Sequence, residues 1–112
     1  MNNQLFEGAA VTIRGQEFIV PGLSFGQMED MADILTRMSL SGGDIQLTKE
    51  TIGDVISLIY AALSRNYPEL TKAHVRDMVD TRNFVSLIEI IMNKSGLEKV
   101  AAAAAGEAKP VA

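Results

Sequence analysis

His74 is the only histidine in the chain, and a general base or metal centre built on it would need partners at ligand spacing. The sequence supplies none: there is no HExxH, no cysteine and no second histidine. His74 falls in the first turn of a predicted helix and reads there as a surface residue. Carboxylates gather as Glu29, Asp30 and Asp33, and again as Asp77 and Asp80. Two on one helical face could share acid–base work, but no nucleophile or apolar pocket accompanies them. Acidic side chains near helix starts ordinarily complement the helix dipole or solubilise the surface. No GxSxG occurs, and Ser41-Gly42-Gly43 lacks the Lys-Ser or Lys-Thr of a phosphate loop. The expectation is a protein that is not an enzyme, with no catalytic residues, no cofactor and no metal.

Two other chemistries can be weighed against the residues. An acyl carrier protein would need a serine in an Asp-Ser-Leu context, which is absent. A helix-turn-helix could place Arg82 and Asn83 at the start of a reading helix, but Val79-Asp80 leaves little room for the usual turn and Glu89 would face the DNA backbone. The internal methionines Met28, Met31, Met38, Met78 and Met92 suggest more. Flexible thioethers fill irregular cores and also suit surfaces that accept varied apolar partners. Core filling is the default for most; Met28, Met31 and Met38 are the candidates for partner contact.

Such residues must be positioned by a fold that 112 residues can build. A chain of this length buries about 65% of the surface its unfolded form exposes, enough for an ordinary core without staples. The absence of cysteine rules out disulfides and agrees with a reducing compartment. The net charge of −4 favours solubility and disfavours a general phosphate-binding face, so no nucleic acid partner is expected. The opening MNNQLFEGAAVTIRG lacks the basic-then-apolar pattern of a secretory signal. No apolar run approaches the roughly 20 residues of a membrane span, so a soluble, unexported protein is expected.

Val11 and Ile13 alternate with polar neighbours, as do Phe18 and Val20, with Arg14-Gly15 between them, which predicts a β-hairpin over about 10–21. After Pro21-Gly22 one start signal recurs: an apolar residue, a capping residue, and a second apolar residue four positions beyond the cap. It occurs as Leu23-Ser24 with Met28, Leu47-Thr48 with Ile52, Leu70-Thr71 with Val75, and Val79-Asp80 with Phe84. Helices are predicted over about 24–39, 48–66, 71–79 and 80–95. In the second, Ile52, Val55, Ile56, Ile59, Ala62 and Leu63 form a wide stripe, with Leu58 and Tyr60 off it. Gly96 and Leu97 offer a Schellman stop, with Leu97 folding back on Met92. The fold class expected is mainly α: a four-helix single domain over 1–97 with a short N-terminal hairpin, followed by a flexible Ala-rich tail over 98–112.

The succession Leu63, Arg65-Asn66-Tyr67-Pro68, Leu70-Thr71, Val75, Asp80, Asn83-Phe84, Ile88, Met92 and Ser95-Gly96-Leu97 resembles the C-terminal half of tail assembly chaperones of long-tailed phages and prophages. VTIRGQEFIVP leading into Leu23-Ser24 is similar to their N-terminal half, so the resemblance spans about residues 10–97. It implies a non-enzymatic protein that binds the tape measure protein and keeps it soluble until the tail tube polymerises. It also implies residence in the host bacterial cytoplasm and absence from the mature virion. The tail tube protein is a further expected partner, and self-association into a homo-oligomer is expected. On this reading Met28, Met31, Met38, Arg65, Asn66, Tyr67 and Pro68 are the candidate client-binding residues. The alternatives are a small structural or adaptor component of a phage tail, and behind it a DNA-binding regulator.

Overall fold

The computed structural model describes residues 5–40 and 46–96. The chain enters through a two-stranded antiparallel sheet, β1 (Gly8–Ile13) paired with β2 (Gln16–Pro21). Ile13 stands opposite Gln16, which leaves Arg14 and Gly15 as a two-residue loop. Both have positive φ, 53° and 81°, matching the right-handed twist of the flanking strands. Glycine adopts that conformation freely, whereas arginine does so at a steric cost. The Arg14 guanidinium lies 2.8 Å from the Asp77 carboxylate, but both side chains are mostly exposed, so the pair adds little stability. What fixes the hairpin is its inner face, where Ile13, Phe18 and Val20 are buried.

Five helices follow among the described residues: α1 (Phe25–Asp30), α2 (Ala32–Leu40), α3 (Lys49–Asn66), α4 (Lys72–Met78) and α5 (Phe84–Lys94). Capping boxes open three of them. Ser24, Thr48 and Thr71 each accept from the amide three residues on, and Gln27, Thr51 and His74 return a side-chain bond to the cap's own amide. The central element is α3, which packs against β2, α4 and α5, while α5 also covers both strands. Leu58, Ile59, Ala62 and Leu63 of α3 are inaccessible to solvent, as are Val75 of α4 and Leu87 and Ile91 of α5. Each leucine or isoleucine so buried contributes about 1.5–3 kcal/mol of transfer free energy.

The expected mainly α, four-helix architecture is therefore corrected to a mixed one: five helices, with a hairpin that supplies core side chains. The helix expected over 24–39 is two, α1 and α2, divided at Met31, whose φ of −111° and ψ of 20° depart from helical geometry. Its two halves are tied to α3 at different points. Gln27 Nε2 donates to the Ala61 carbonyl at 2.7 Å, and Arg37 makes a two-pronged pair with the Asp54 carboxylate at 2.8 and 2.9 Å. Along an unbroken helix the two donors would stand about 15 Å apart, whereas their anchors on α3 are separated by about 10 Å. A change of axis at Met31 absorbs the difference.

Asp54 raises the pKa of Arg37 above its ordinary value through that hydrogen-bonded pair. A cation whose pKa rises on folding stabilises the fold fully below its unfolded pKa and loses the effect only above its folded one. The arginine's contribution is therefore full throughout the neutral range and is lost only in strong alkali. Replacing Arg37 by Met should loosen α2 and leave the buried Asp54 carboxylate without its cation, seen as faster thermolysin cleavage within 32–40 and a lowered urea midpoint.

The helix expected from Asp80 begins instead at Phe84. Asp80 Oδ1 accepts from the amides of Arg82 and Asn83 at 2.8 and 3.2 Å, and Asn83 Oδ1 accepts from the Asp80 amide. These bonds close a separate turn ahead of the helix, so residues 79–83 separate α4 from α5, more room than the sequence spacing implied. Gly96 has a φ of 76°, the left-handed conformation expected of a helix stop. The fold-back of Leu97 on Met92, the segment Ser41-Gly42-Gly43 and the tail over 98–112 lie outside the described residues.

Candidate functional site

Arg65, Asn66 and Tyr67 come together at the C-terminal end of α3, and the groups they hold belong to the chain itself. Asn66, 8% exposed, accepts from the Phe6 amide at 2.6 Å and donates to the carbonyls of Phe6 and Ile19 at 3.1 and 3.0 Å. The Tyr67 hydroxyl accepts from the Ile19 amide at 2.8 Å, and its ring meets Phe18 edge-on with centroids 5.3 Å apart. Arg65 donates to the Gly22 carbonyl at 2.6 Å while its guanidinium lies 4.0 Å from the centre of the Phe6 ring. The corner clamps the hairpin and the residues leading into it onto α3. Pro68 is exposed beyond the helix end. It disfavours helical geometry at Tyr67, which frees the tyrosine ring to turn toward Phe18.

Met28, Met31 and Met38 are half-buried against the core from α1, α2 and the break between them. α1 is tied to that half of α3 where Gln27 donates to the Ala61 carbonyl, one helical turn before Arg65. Phe25, 88% exposed, stands alone at the first turn of α1.

The polar candidates carry local structural roles. His74 Nδ1 accepts from the Thr71 amide, closing a capping box. Asp77 pairs with Arg14, Asp54 with Arg37, and Asp80 caps its own turn. Among the described residues no three His, Cys, Asp or Glu side chains converge as a metal site, and no helix is long and apolar enough to cross a membrane.

The surface with most to offer was not singled out by the sequence. An open apolar groove of about 270 Å³ runs between the start of α3 and the α4–α5 junction, lined by Leu47, Ile52 and Val55 on one side and Val79 and Phe84 on the other. Leu47 and Ile52 remain 49% and 47% exposed, so no described residue fills this apolar groove. Its two walls are the apolar pairs that the sequence presents as helix-start staples, Leu47 with Ile52 and Val79 with Phe84. Ile52, expected within the core stripe of α3, lies at the groove, while Leu58, expected off the stripe, is fully buried. Beyond Ile52 and Ile56 the depression continues over Gly53 and Ser57 to Lys72, with Lys49 and Arg76 on its border, a further 570 Å³ or so. Such a trough can bind an apolar helical stripe by shape and burial. No family model, curated protein or solved structure matches this chain.

Proposed function

We propose that the protein is a phage tail assembly chaperone. In the host bacterial cytoplasm it binds the tape measure protein and keeps it soluble until tail tube subunits polymerise around that client, and it is absent from the finished virion. The observation that carries this reading is the open apolar groove between Leu47 and Ile52 of the α3 start and Val79 and Phe84 of the α4–α5 junction. A long helical client exposes apolar stripes repeatedly along its length, and each needs cover that can later be displaced by the tube. The similarity of residues 10–97 to tail assembly chaperones supports the same reading from the sequence.

The energetics suit that task. A shallow groove gives individually weak contacts, and several copies on one client gain strength through effective concentration, without any single site becoming too tight to release. The methionines on α1 and α2 add adaptable apolar surface at modest exposure. Nothing in the role calls for catalysis.

Co-expression with the cognate tape measure protein tests the proposal. The soluble fraction of that client should rise severalfold with the chain present, and mass spectrometry of purified virions should not detect the chain. An unchanged soluble fraction would overturn the chaperone role.

A further inference from the structure

We infer that the groove between α3 and α4 receives an amphipathic helix whose apolar stripe is flanked by acidic side chains, which names the client chemistry and rests on the chaperone reading. The first observation is charge. The chain carries a net −4, yet three cations, Lys49, Lys72 and Arg76, border the trough, against one carboxylate, Asp80. That carboxylate already accepts from the amides of Arg82 and Asn83. Among the described residues Lys72 reaches only the Ser57 hydroxyl, at 3.2 Å, and neither Lys49 nor Arg76 has an ion pair. A cationic border on an acidic protein selects an acidic partner and repels basic ones.

The second observation is Gly53. It sits within the central helix, where glycine is the poorest former apart from proline, and a Cβ built there would meet nothing within 4 Å. The chain thus forgoes helical stability at a point where its own packing makes no use of the missing side chain. A bare backbone position on the floor of a trough lets a second helix approach closely. From Lys49 to Ser57 the trough follows α3 for about 12 Å, room for just over two turns of a partner.

Full-length protein can be titrated with three-turn helical peptides that share one leucine stripe and differ only in flanks, all glutamate or all lysine. The glutamate peptide should bind about tenfold more tightly at low salt, and the advantage should shrink as salt is raised. Equal binding of the two overturns the proposal. Arg76→Glu should reverse or erase the preference, and an unaltered preference counts against the site. Gly53→Ala should raise the melting temperature by about 4 °C. Gly53→Phe should fold and lose peptide binding; retained binding by a folded Gly53→Phe protein overturns the placement.

Sedimentation distinguishes the other occupant. A dimer of the unmodified chain that Gly53→Phe converts to monomer would assign the trough to a second copy and overturn the peptide proposal. The two readings fail separately. If the chain solubilises the tape measure protein and Gly53→Phe does so equally well, the groove assignment fails and the chaperone role stands. If glutamate-flanked peptides bind but the client gains no solubility, the groove stands and the chaperone role fails.

Discussion

Gly22→Ala should destabilise the protein by about 3 kcal/mol or more, read as a large drop in the urea midpoint or loss of soluble expression. Gly22 lies just after β2, where the chain passes directly over the end of α5. A Cβ there would run into the carbonyl group of Lys94 and the amide nitrogen of Ser95. These are backbone atoms of a helix terminus, which cannot swing aside as a side chain would. Neighbouring bonds make retreat costly as well. The Gly22 carbonyl accepts from Arg65, and the Leu23 amide donates to the Ser95 hydroxyl at 2.7 Å. Moving the strand end away from α5 breaks both. Gly26→Ala is the matched control: its added methyl meets only the Ser24 hydroxyl, at 3.9 Å, and the change should be neutral or slightly stabilising. Equal midpoints for the two variants would refute the close-packing argument.

Asn66→Asp should be nearly as damaging, at about 3 kcal/mol, although it alters almost no volume. The amide of Asn66 is used on both sides, as acceptor from the Phe6 amide and as donor to two carbonyls. A carboxylate keeps the first bond and turns the second group into an oxygen facing two oxygens within about 3 Å, with a charge left in a poorly solvated corner. Asn66→Ala should be milder, near 2 kcal/mol, because it removes partners without adding repulsion. Tyr67→Phe should fall near 1 kcal/mol, since it preserves the edge-on contact with Phe18 and orphans only the Ile19 amide. Denaturant titration of the three variants tests the order. An Asp variant as stable as the parent would mean that the two carbonyls do not depend on this donor.

The parts of the fold legible in the sequence are those determined within a few residues. Ser24, Thr48 and Thr71 cap their helices because a hydroxyl three residues from an orphan amide needs no tertiary help. The hairpin is similarly local, down to the Arg14-Gly15 loop. The division at Met31 has no such local marker. It follows from Gln27 and Arg37 reaching separate points on α3, and spacing within one helix cannot disclose where another helix places its acceptors. Asp80 bears a genuine capping signal, but the signal is answered by a turn stabilised through Asn83 rather than by α5 itself. Helical periodicity identified an apolar arc on α3 without saying which part of that arc finds a neighbour, so Ile52 and Leu58 exchange places between surface and core.

The same reasoning explains the site. Leu47, Ile52, Val79 and Phe84 were visible as two pairs, each accounted for by its own helix start, and only the packing of α4 against α3 sets the pairs face to face. Arg65, Asn66 and Tyr67 stand out in the sequence only through the resemblance to tail assembly chaperones. Their partners in the chain lie 43 to 60 positions earlier for Arg65 and Asn66 and 48 for Tyr67, a separation no short-range pattern reveals. Gly53 gave no sequence signal beyond being an unexplained glycine in a strong helix.

That corner also imposes a schedule on biosynthesis. Phe6 leaves the ribosome 60 residues ahead of the asparagine that will hold it, an interval of about 3–12 s at 5–20 residues per second. During that time the nascent hairpin has no docking surface, and a lone two-stranded ribbon is only marginally stable in water. Native order around Phe6 and the hairpin must therefore wait for the end of α3, so a segment made well before its partner settles only after it.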